Sequence, residues 1–263
     1  MKFSLPRVFA RLFTRGEVFP TAAAITAACI LLVIAGRIAG VLQPLELLLY
    51  DATMRLRPAG PVDDRVVVIA ETEADLQRFG HPLPDRILAQ AIELLAAAPA
   101  RTIGVDKYRD IPVQPGSEEL ASALERHQRV VWIMKAATAK EPGVPAPAPL
   151  RGTLRTGFND LVTDPGGVIR RGLIYLEDRS GDTLYSFPLL LAANYLGRSD
   201  PMLERSPERE DWVRVGKTTV PALEPDDGGY AGVDTAGYQF LLDYRGMPGM
   251  FRRFTLGELL DRR

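Results

Sequence analysis

Cysteine and histidine are almost missing: the chain has one cysteine, Cys29, and two histidines, His81 and His127. One thiol excludes an internal disulfide and any cysteine-based zinc site. Neither histidine has a partner at metal-ligand spacing, so each reads as a surface or cap residue, and no metal or other cofactor is expected. Nucleophilic triads have almost no material. Also absent are a G-x-S-x-G elbow, a G-x-x-x-x-G-K-[ST] phosphate loop, an H-E-x-x-H zinc helix and a G-x-G-x-x-G turn between strand and helix. No catalytic residue is assigned, and the reading is that of a non-enzyme. Excess charge of one sign is missing too. The 32 basic and 33 acidic residues leave no footprint for nucleic acid, which shows as a basic face.

What is present is a long apolar run. Val18 to Gly36 (VFPTAAAITAACILLVIAG) carries no charge and follows a basic N-terminus. As a helix it covers roughly 28 Å, close to the ~30 Å hydrocarbon core of a bilayer. A cleavable signal peptide with Ala35-Gly36 or Ala39-Gly40 as its site is the competing reading. The run exceeds the ~7–15 residues of a signal core and continues through Ile38 to Leu42, which favours an uncleaved anchor. Cys29 sits mid-run, as a membrane thiol rather than a lipid attachment point. Lys2, Arg7, Arg11 and Arg15 precede the span, offset by Glu17, while Arg37, Arg55 and Arg57 follow it. Positive charge is held on the cytoplasmic side, so the N-terminus is expected inside and the rest outside. Gly36 and Gly40 form a small-xxx-small pair that would bring two helices together in a homodimer.

The expected organisation is a cytoplasmic N-terminus (1–17), a transmembrane helix (18–42), a juxtamembrane helix and linker (43–62) and one extracytoplasmic domain (63–263). That domain's roughly 200 residues are enough for a real core. In the linker, Leu45, Leu48, Leu49 and Ala52 form one apolar helical stripe, ended by Pro58-Ala59-Gly60-Pro61. Beyond it, Val66–Ala70, Thr102–Val105 and Val130–Met134 are apolar strands. Between them lie a helix from Asp85 with Leu88, Ala91, Ile92 and Leu95 on one face, and a helix capped by Ser117. Strands apolar throughout, separated by amphipathic helices, indicate a parallel sheet covered on both faces. Asp164-Pro165-Gly166-Gly167 predicts a hairpin turn between Gly157–Val162 and Val168–Leu176. Ser186 opens a helix through Leu196, and Trp212–Val215, Thr218–Val220 and Tyr238–Tyr244 read as strands. The fold class is therefore α/β, a largely parallel sheet with helices plus an antiparallel hairpin.

Ligands of open parallel sheets bind beyond the carboxyl ends of the strands. Glu71 and Glu73 follow the first strand, Asp106 and Arg109 the second, and Lys135 the third, with Trp132 as an aromatic wall near the same edge. This mixed-charge rim suits a small polar molecule or a peptide. Arg170-Arg171 reads as a paired surface arginine after a turn, with an anion or lipid headgroup as the alternative contact.

An ordered series of segments carries a family resemblance: LLYDATMRLRP (Leu48–Pro58), VVVIAETEADLQRFGHPLP (Val66–Pro84) and RILAQAIELLAAAPARTIGVDKYRD (Arg86–Asp110). GFNDLVTDPGGVIRRGLIYL (Gly157–Leu176) and GYAGVDTAGYQFLLDYRG (Gly229–Gly246) extend it. From about Leu45 onward the chain resembles the CHASE type two domain, the extracellular sensor associated with cyclases and histidine kinases. The resemblance implies a bacterial inner-membrane receptor with a nucleotide cyclase or kinase output, sensing an unknown small-molecule or peptide stimulus. Relatives often carry aspartate where Thr72 stands. They also continue past the equivalent of Phe254–Arg263 into another apolar strand and membrane helices. Hence a sheet short of an edge strand is expected, with a pairing-competent edge. Two other functions stand beside the sensor: a structural partner of full-length receptors, and an anchored periplasmic enzyme using Glu71, Glu73 and Asp106.

Overall fold

A computed structural model describes residues 18–138, 141–201, 203–246 and 249–261. Lys2, Arg7, Arg11, Arg15 and Glu17, on which the orientation argument rests, lie outside the described residues. Two compact units emerge, one of the membrane-proximal helices with Glu224–Asp234, the other of Arg57–Leu223 with Thr235–Arg263.

In the first unit, α1 (Val18–Ile38) has 21 residues and no acidic group in its first turn. Its segment Phe19–Ile38 is long and apolar enough to cross a membrane. Side chains such as Phe19, Ile25 and Leu32 are exposed, as lipid-facing groups must be. A tight turn leads to α2 (Gln43–Leu56). Gly40 takes a left-handed φ of +73° in that turn, and a Cβ there would meet Ala231 at 3.5 Å. Gly36 and Gly40 therefore do not form one helix face, because α1 has ended at Ile38. Their expected role as a helix-pairing motif is replaced by a turn and a close approach. The apolar stripe on α2 also departs from expectation. Leu45, Leu48 and Leu49 are exposed, and the buried leucine is Leu47.

The second unit holds the predicted β-α-β-α-β run: β1 (Val67–Ala70), α3 (Glu73–Phe79), α4 (Asp85–Ala97), β2 (Ile103–Val105), α5 (Ser117–Arg126) and β3 (Val130–Met134). Leu88, Ala91 and Ile92 are buried on α4, as their spacing requires. Together with Leu120, Ala123, Leu124, Val130, Trp132 and Leu150 they form the main core. Ser117 is the first helical residue rather than the cap, a place taken by Gly116, and its hydroxyl donates to Asp85 Oδ2 at 2.9 Å. His127 ends α5 as a cap, with Nε2 2.9 Å from Glu93 Oε2.

Gly157–Val162 divides into two strands. β4 (Thr156–Phe158) joins the parallel sheet beside β3, and β5 (Val162–Asp164) turns back onto β6 (Val168–Leu173) as the expected hairpin. The remaining elements are β7 (Tyr175–Glu177), β8 (Thr183–Tyr185), α6 (Phe187–Tyr195), β9 (Leu203–Arg205), β10 (Val213–Val215), β11 (Thr218–Val220), β12 (Gln239–Leu241), β13 (Arg252–Thr255) and α7 (Leu256–Asp261). β12 pairs antiparallel with β6, and β10 pairs with both β9 and β11.

The parallel sheet comes in two pieces. β1 pairs with β13, brought from the far end of the chain, while β2, β3 and β4 pair in that order. β1 and β2 are not hydrogen-bonded to each other.

Asp75 ties the start of α3 to α7. Its Oδ2 accepts from Thr72 N at 2.9 Å and Thr72 Oγ1 at 2.7 Å, and its Oδ1 accepts from Gly257 N at 2.8 Å. Burial opposes ionisation, but the bonds from Thr72 and from the Gly257 and Leu256 backbone outweigh it and hold the carboxyl below its usual 3.8. A lowered folded-state pKa gives stability that is full above the unfolded value and lost as pH falls through the folded one. Asp75→Asn is therefore expected to flatten the acid limb of stability below about pH 4. Acid melts followed by tryptophan fluorescence test this, and an unchanged acid limb would refute the assignment.

Candidate functional site

The carboxyl ends of the parallel strands make a rim of interlocked polar side chains. Glu71, leaving β1, forms an ion pair with Lys107, leaving β2. One residue earlier, Asp106 Oδ1 accepts from Asn159 Nδ2 at 3.1 Å. One residue later, Tyr108 donates its hydroxyl to Asn159 Oδ1 at 2.7 Å. Asn159 follows β4, so three strand ends meet in this chain of contacts. Burial, then the nearby Asp160 carboxylate, raises the Tyr108 phenol above its ordinary pKa of 10.0. It stays a hydrogen-bond donor at neutral pH.

Below the rim lies a cavity of about 840 Å³ between β1 and β2, reaching Glu71, Asp106 and Lys107 at one end and Asp63 and Arg65 at the other. Its walls are apolar. Leu88, Ile92 and Leu256 close one side, and Phe187 and Leu191 of α6 close the other. Gly104 permits the second wall, for a Cβ there would come within 2.8 Å of the Phe187 ring.

The expected site residues divide. Glu71 and Asp106 lie on the rim. Glu73 is exposed in the first turn of α3, where its charge suits the helix dipole. Lys135 pairs with Glu141 at the exit of β3. Trp132 is no ligand wall: it is 0% exposed, and its indole N–H donates to the Lys107 carbonyl at 2.5 Å. Placement at the strand's carboxyl edge is right, but the ring points into the core. Arg109 is buried as well, 3.4 Å from the Asp85 carboxylate and donating to Leu83 O at 2.7 Å. It braces the loop after β2 instead of facing a ligand. Lys107, Tyr108 and Asn159 are the residues that strand-edge reasoning passed over. All three sit within four residues of a strand end, which is the signal that identifies them.

Arg170 and Arg171 are not a surface pair. Arg170 Nη1 donates to Asp164 Oδ2 at 2.8 Å, and Arg171 Nη2 donates to Asp164 Oδ1 at 2.6 Å. All three are buried, which removes the anion and headgroup alternatives.

A second constellation belongs to the first unit. Arg37, at the end of α1, donates to Tyr230 O at 2.6 Å and to Gly228 O at 2.8 Å, and its Nε lies 3.0 Å from Glu46 Oε2. The Ala231 amide donates to Gln43 Oε1 at 2.9 Å. A guanidinium offers five donors in a fixed fork and suits such a cluster of carbonyls. Position 229 is tightly packed, for a Cβ would come within 3.1 Å of Glu46 and Leu47 and oblige them to give way. The segment 224–234 is thus fastened to the helix pair at the point where α1 ends.

No match is found among curated proteins or among solved structures. The CHASE2 domain family does match, over residues 28–262. CHASE2 domains are extracellular sensory domains of receptors, sensory rather than catalytic. With one N-terminal apolar helix, Phe19–Ile38, whose second half falls within the matched region, this chain is a membrane-anchored member of the CHASE2 sensor-domain family.

Proposed function

We propose that the chain is the extracytoplasmic sensory module of a bacterial inner-membrane receptor, with α1 crossing once and the N-terminus in the cytoplasm. It controls a nucleotide cyclase or kinase output and has no catalysis of its own. The observation that carries this reading is the fastening of segment 224–234 onto Arg37. That segment leaves and re-enters the globular unit, its neck held there by Leu223 N donating to Gln239 O at 2.8 Å. A change of state in the globular unit then passes along the chain into the segment, and the Arg37 hydrogen bonds carry it to the end of the membrane helix. The rim of Glu71, Asp106, Lys107, Tyr108 and Asn159 is the place for a small polar or peptide stimulus. A stimulus that binds two arrangements with different affinity shifts the population between them.

Two measurements test it. A reporter fused at the C-terminus should be active only outside the cytoplasm; activity inside ends the receptor reading. A thermal-shift screen of the detergent-solubilised chain with metabolites, ions and peptides should find a stabilising compound whose effect is lost in Lys107→Ala. The fastening has its own prediction. Arg37→Met is expected to speed hydrogen exchange at the Ala231 amide by about tenfold or more, as a locally opened segment does. Unchanged exchange would show that Arg37 does not hold the segment.

A further inference from the structure

The helix α2 has two unlike sides. Gln43, Leu47, Tyr50 and Met54 recur at helical spacing on the side that packs within its own unit. Leu47 is buried there, and Gln43 Oε1 accepts from the Ala231 amide at 2.9 Å. Leu45, Leu48, Leu49, Ala52 and Leu56 line the opposite side. Its four leucines are 62% to 83% exposed. Large aliphatic side chains left uncovered in one stripe mark a contact with a membrane or a partner.

What precedes α2 identifies the occupant. α1 ends in a Schellman turn: Gly40 takes its left-handed φ, Val41 N donates to Gly36 O at 3.0 Å, and Gly40 N donates to Arg37 O at 3.1 Å. A left-handed residue there turns the chain out of the axis of α1. With only residues 39–42 between the helices, α2 starts at the level where α1 leaves the hydrocarbon. Ile38 at the end of α1 and Val41 in the turn are as exposed as the leucines. Apolar exposure therefore runs without a break from the lipid-facing helix through Ile38 and Val41 to Leu45, Leu48 and Leu49.

We propose that α2 lies along the surface of the phospholipid bilayer as an interfacial helix, with Leu45, Leu48, Leu49 and Leu56 inserted at the boundary between headgroups and acyl chains. Continuity favours lipid over a second copy of the chain: the medium that solvates α1 already reaches Val41, and the leucines of the next turns need only the same medium. Arg55, exposed at the edge of the stripe, extends its guanidinium to the phosphate level while its stem stays with the leucines. The opposite side of α2 holds Ala231 through Gln43, and Glu46 pairs with the Arg37 that binds the Gly228 and Tyr230 carbonyls. A surface-bound α2 thus keeps residues 228–231 at the membrane. This placement rests neither on the sensory reading nor on which side of the bilayer α2 occupies.

Electron paramagnetic resonance tests it on the full chain in vesicles of phosphatidylethanolamine and phosphatidylglycerol. Cys29→Ala removes the sole thiol. A nitroxide is then attached in turn through Leu45→Cys, Leu48→Cys, Leu49→Cys and Leu56→Cys. Ser180→Cys, in the exposed turn between β7 and β8, serves as the solvent reference. All five side chains are exposed, so labelling leaves the packed side of α2 intact. The ratio of collisions with oxygen to collisions with a water-soluble nickel complex should be about fivefold or more above the reference at the four leucine positions, as for groups sunk below the headgroups. A ratio equal to that at Ser180 overturns the proposal. Low accessibility to both reagents overturns it too, and dipolar broadening that vanishes on dilution with unlabelled chain would assign the stripe to a second copy instead.

Discussion

Asp164→Ala is expected to destabilise the globular unit by about 3–5 kcal/mol, the cost of breaking a buried ion pair by removing one partner. The Asp164 side chain is 1% exposed. Arg171 Nε also donates to its Oδ1 at 3.0 Å, and Arg171 Nη1 donates to Gln239 Oε1 at 2.8 Å. One carboxylate therefore holds two guanidinium groups inside the hairpin, and its loss takes the shared counter-charge from both. At roughly 2–4 °C per kcal/mol for a domain of this size, melting should fall by about 6–20 °C. Tryptophan fluorescence reports it, since Trp132 lies in the core. Combining Asp164→Ala with Arg171→Met should return part of the loss by removing one of the two buried cations. A single variant that melts within a degree of the parent would show that the network carries no stability. The consequence reaches further than melting. Gln239 holds the neck of segment 224–234 through its carbonyl while its side chain is held by Arg171, so the same substitution should loosen that neck.

The burial of Arg170 and Arg171 shows where sequence reasoning stops. Neighbouring residues on a strand point to opposite faces, so a double arginine reads as half exposed. Both are enclosed here because Asp164, across the turn, compensates both. The turn itself was legible from Asp164-Pro165-Gly166-Gly167, because its chemistry is local. So were the membrane helix and the βα run, since apolar length and helical period need no knowledge of distant partners. The partner of β1 was not legible: β13 lies about 180 residues later, and its sequence Arg252–Thr255 carries no apolar run. The α2 stripe had the right period but gave no information on what medium it faces. At the candidate site, strand-end position puts Glu71 and Asp106 on the rim, which is where the structure has them. Depth was the missing quantity, and it turned Trp132 and Arg109 from ligand contacts into framework.

Arg109 carries the second large effect. Asp85 Oδ2 accepts from Val113 N at 3.0 Å and from Ser117 Oγ at 2.9 Å, while its Oδ1 faces Arg109. Side chains of the pair are only 2% and 6% exposed. Asp85 thereby joins the start of α4, the loop after β2 and the start of α5. Asp85→Ala is expected to cost about 3–5 kcal/mol, because a buried guanidinium loses its counter-charge and two donors lose their acceptor. Arg109→Ala should cost a comparable amount through the isolated carboxylate and the Leu83 carbonyl it leaves behind. The double variant Asp85→Leu/Arg109→Met replaces both charges by apolar groups and should be milder than either single change, since exchanging a buried pair for hydrophobic residues is often close to neutral. A double-mutant cycle on urea midpoints gives the coupling, expected at about 1–3 kcal/mol for groups in direct contact. Simple additivity would mean that the 3.4 Å pair is incidental. Lys107 and Tyr108 stand on the same loop as Arg109, so a loss of coupling should also disturb the rim. Weakened stabilisation by any compound found to act through Lys107 would then appear in the Arg109→Ala chain even at temperatures where it remains folded.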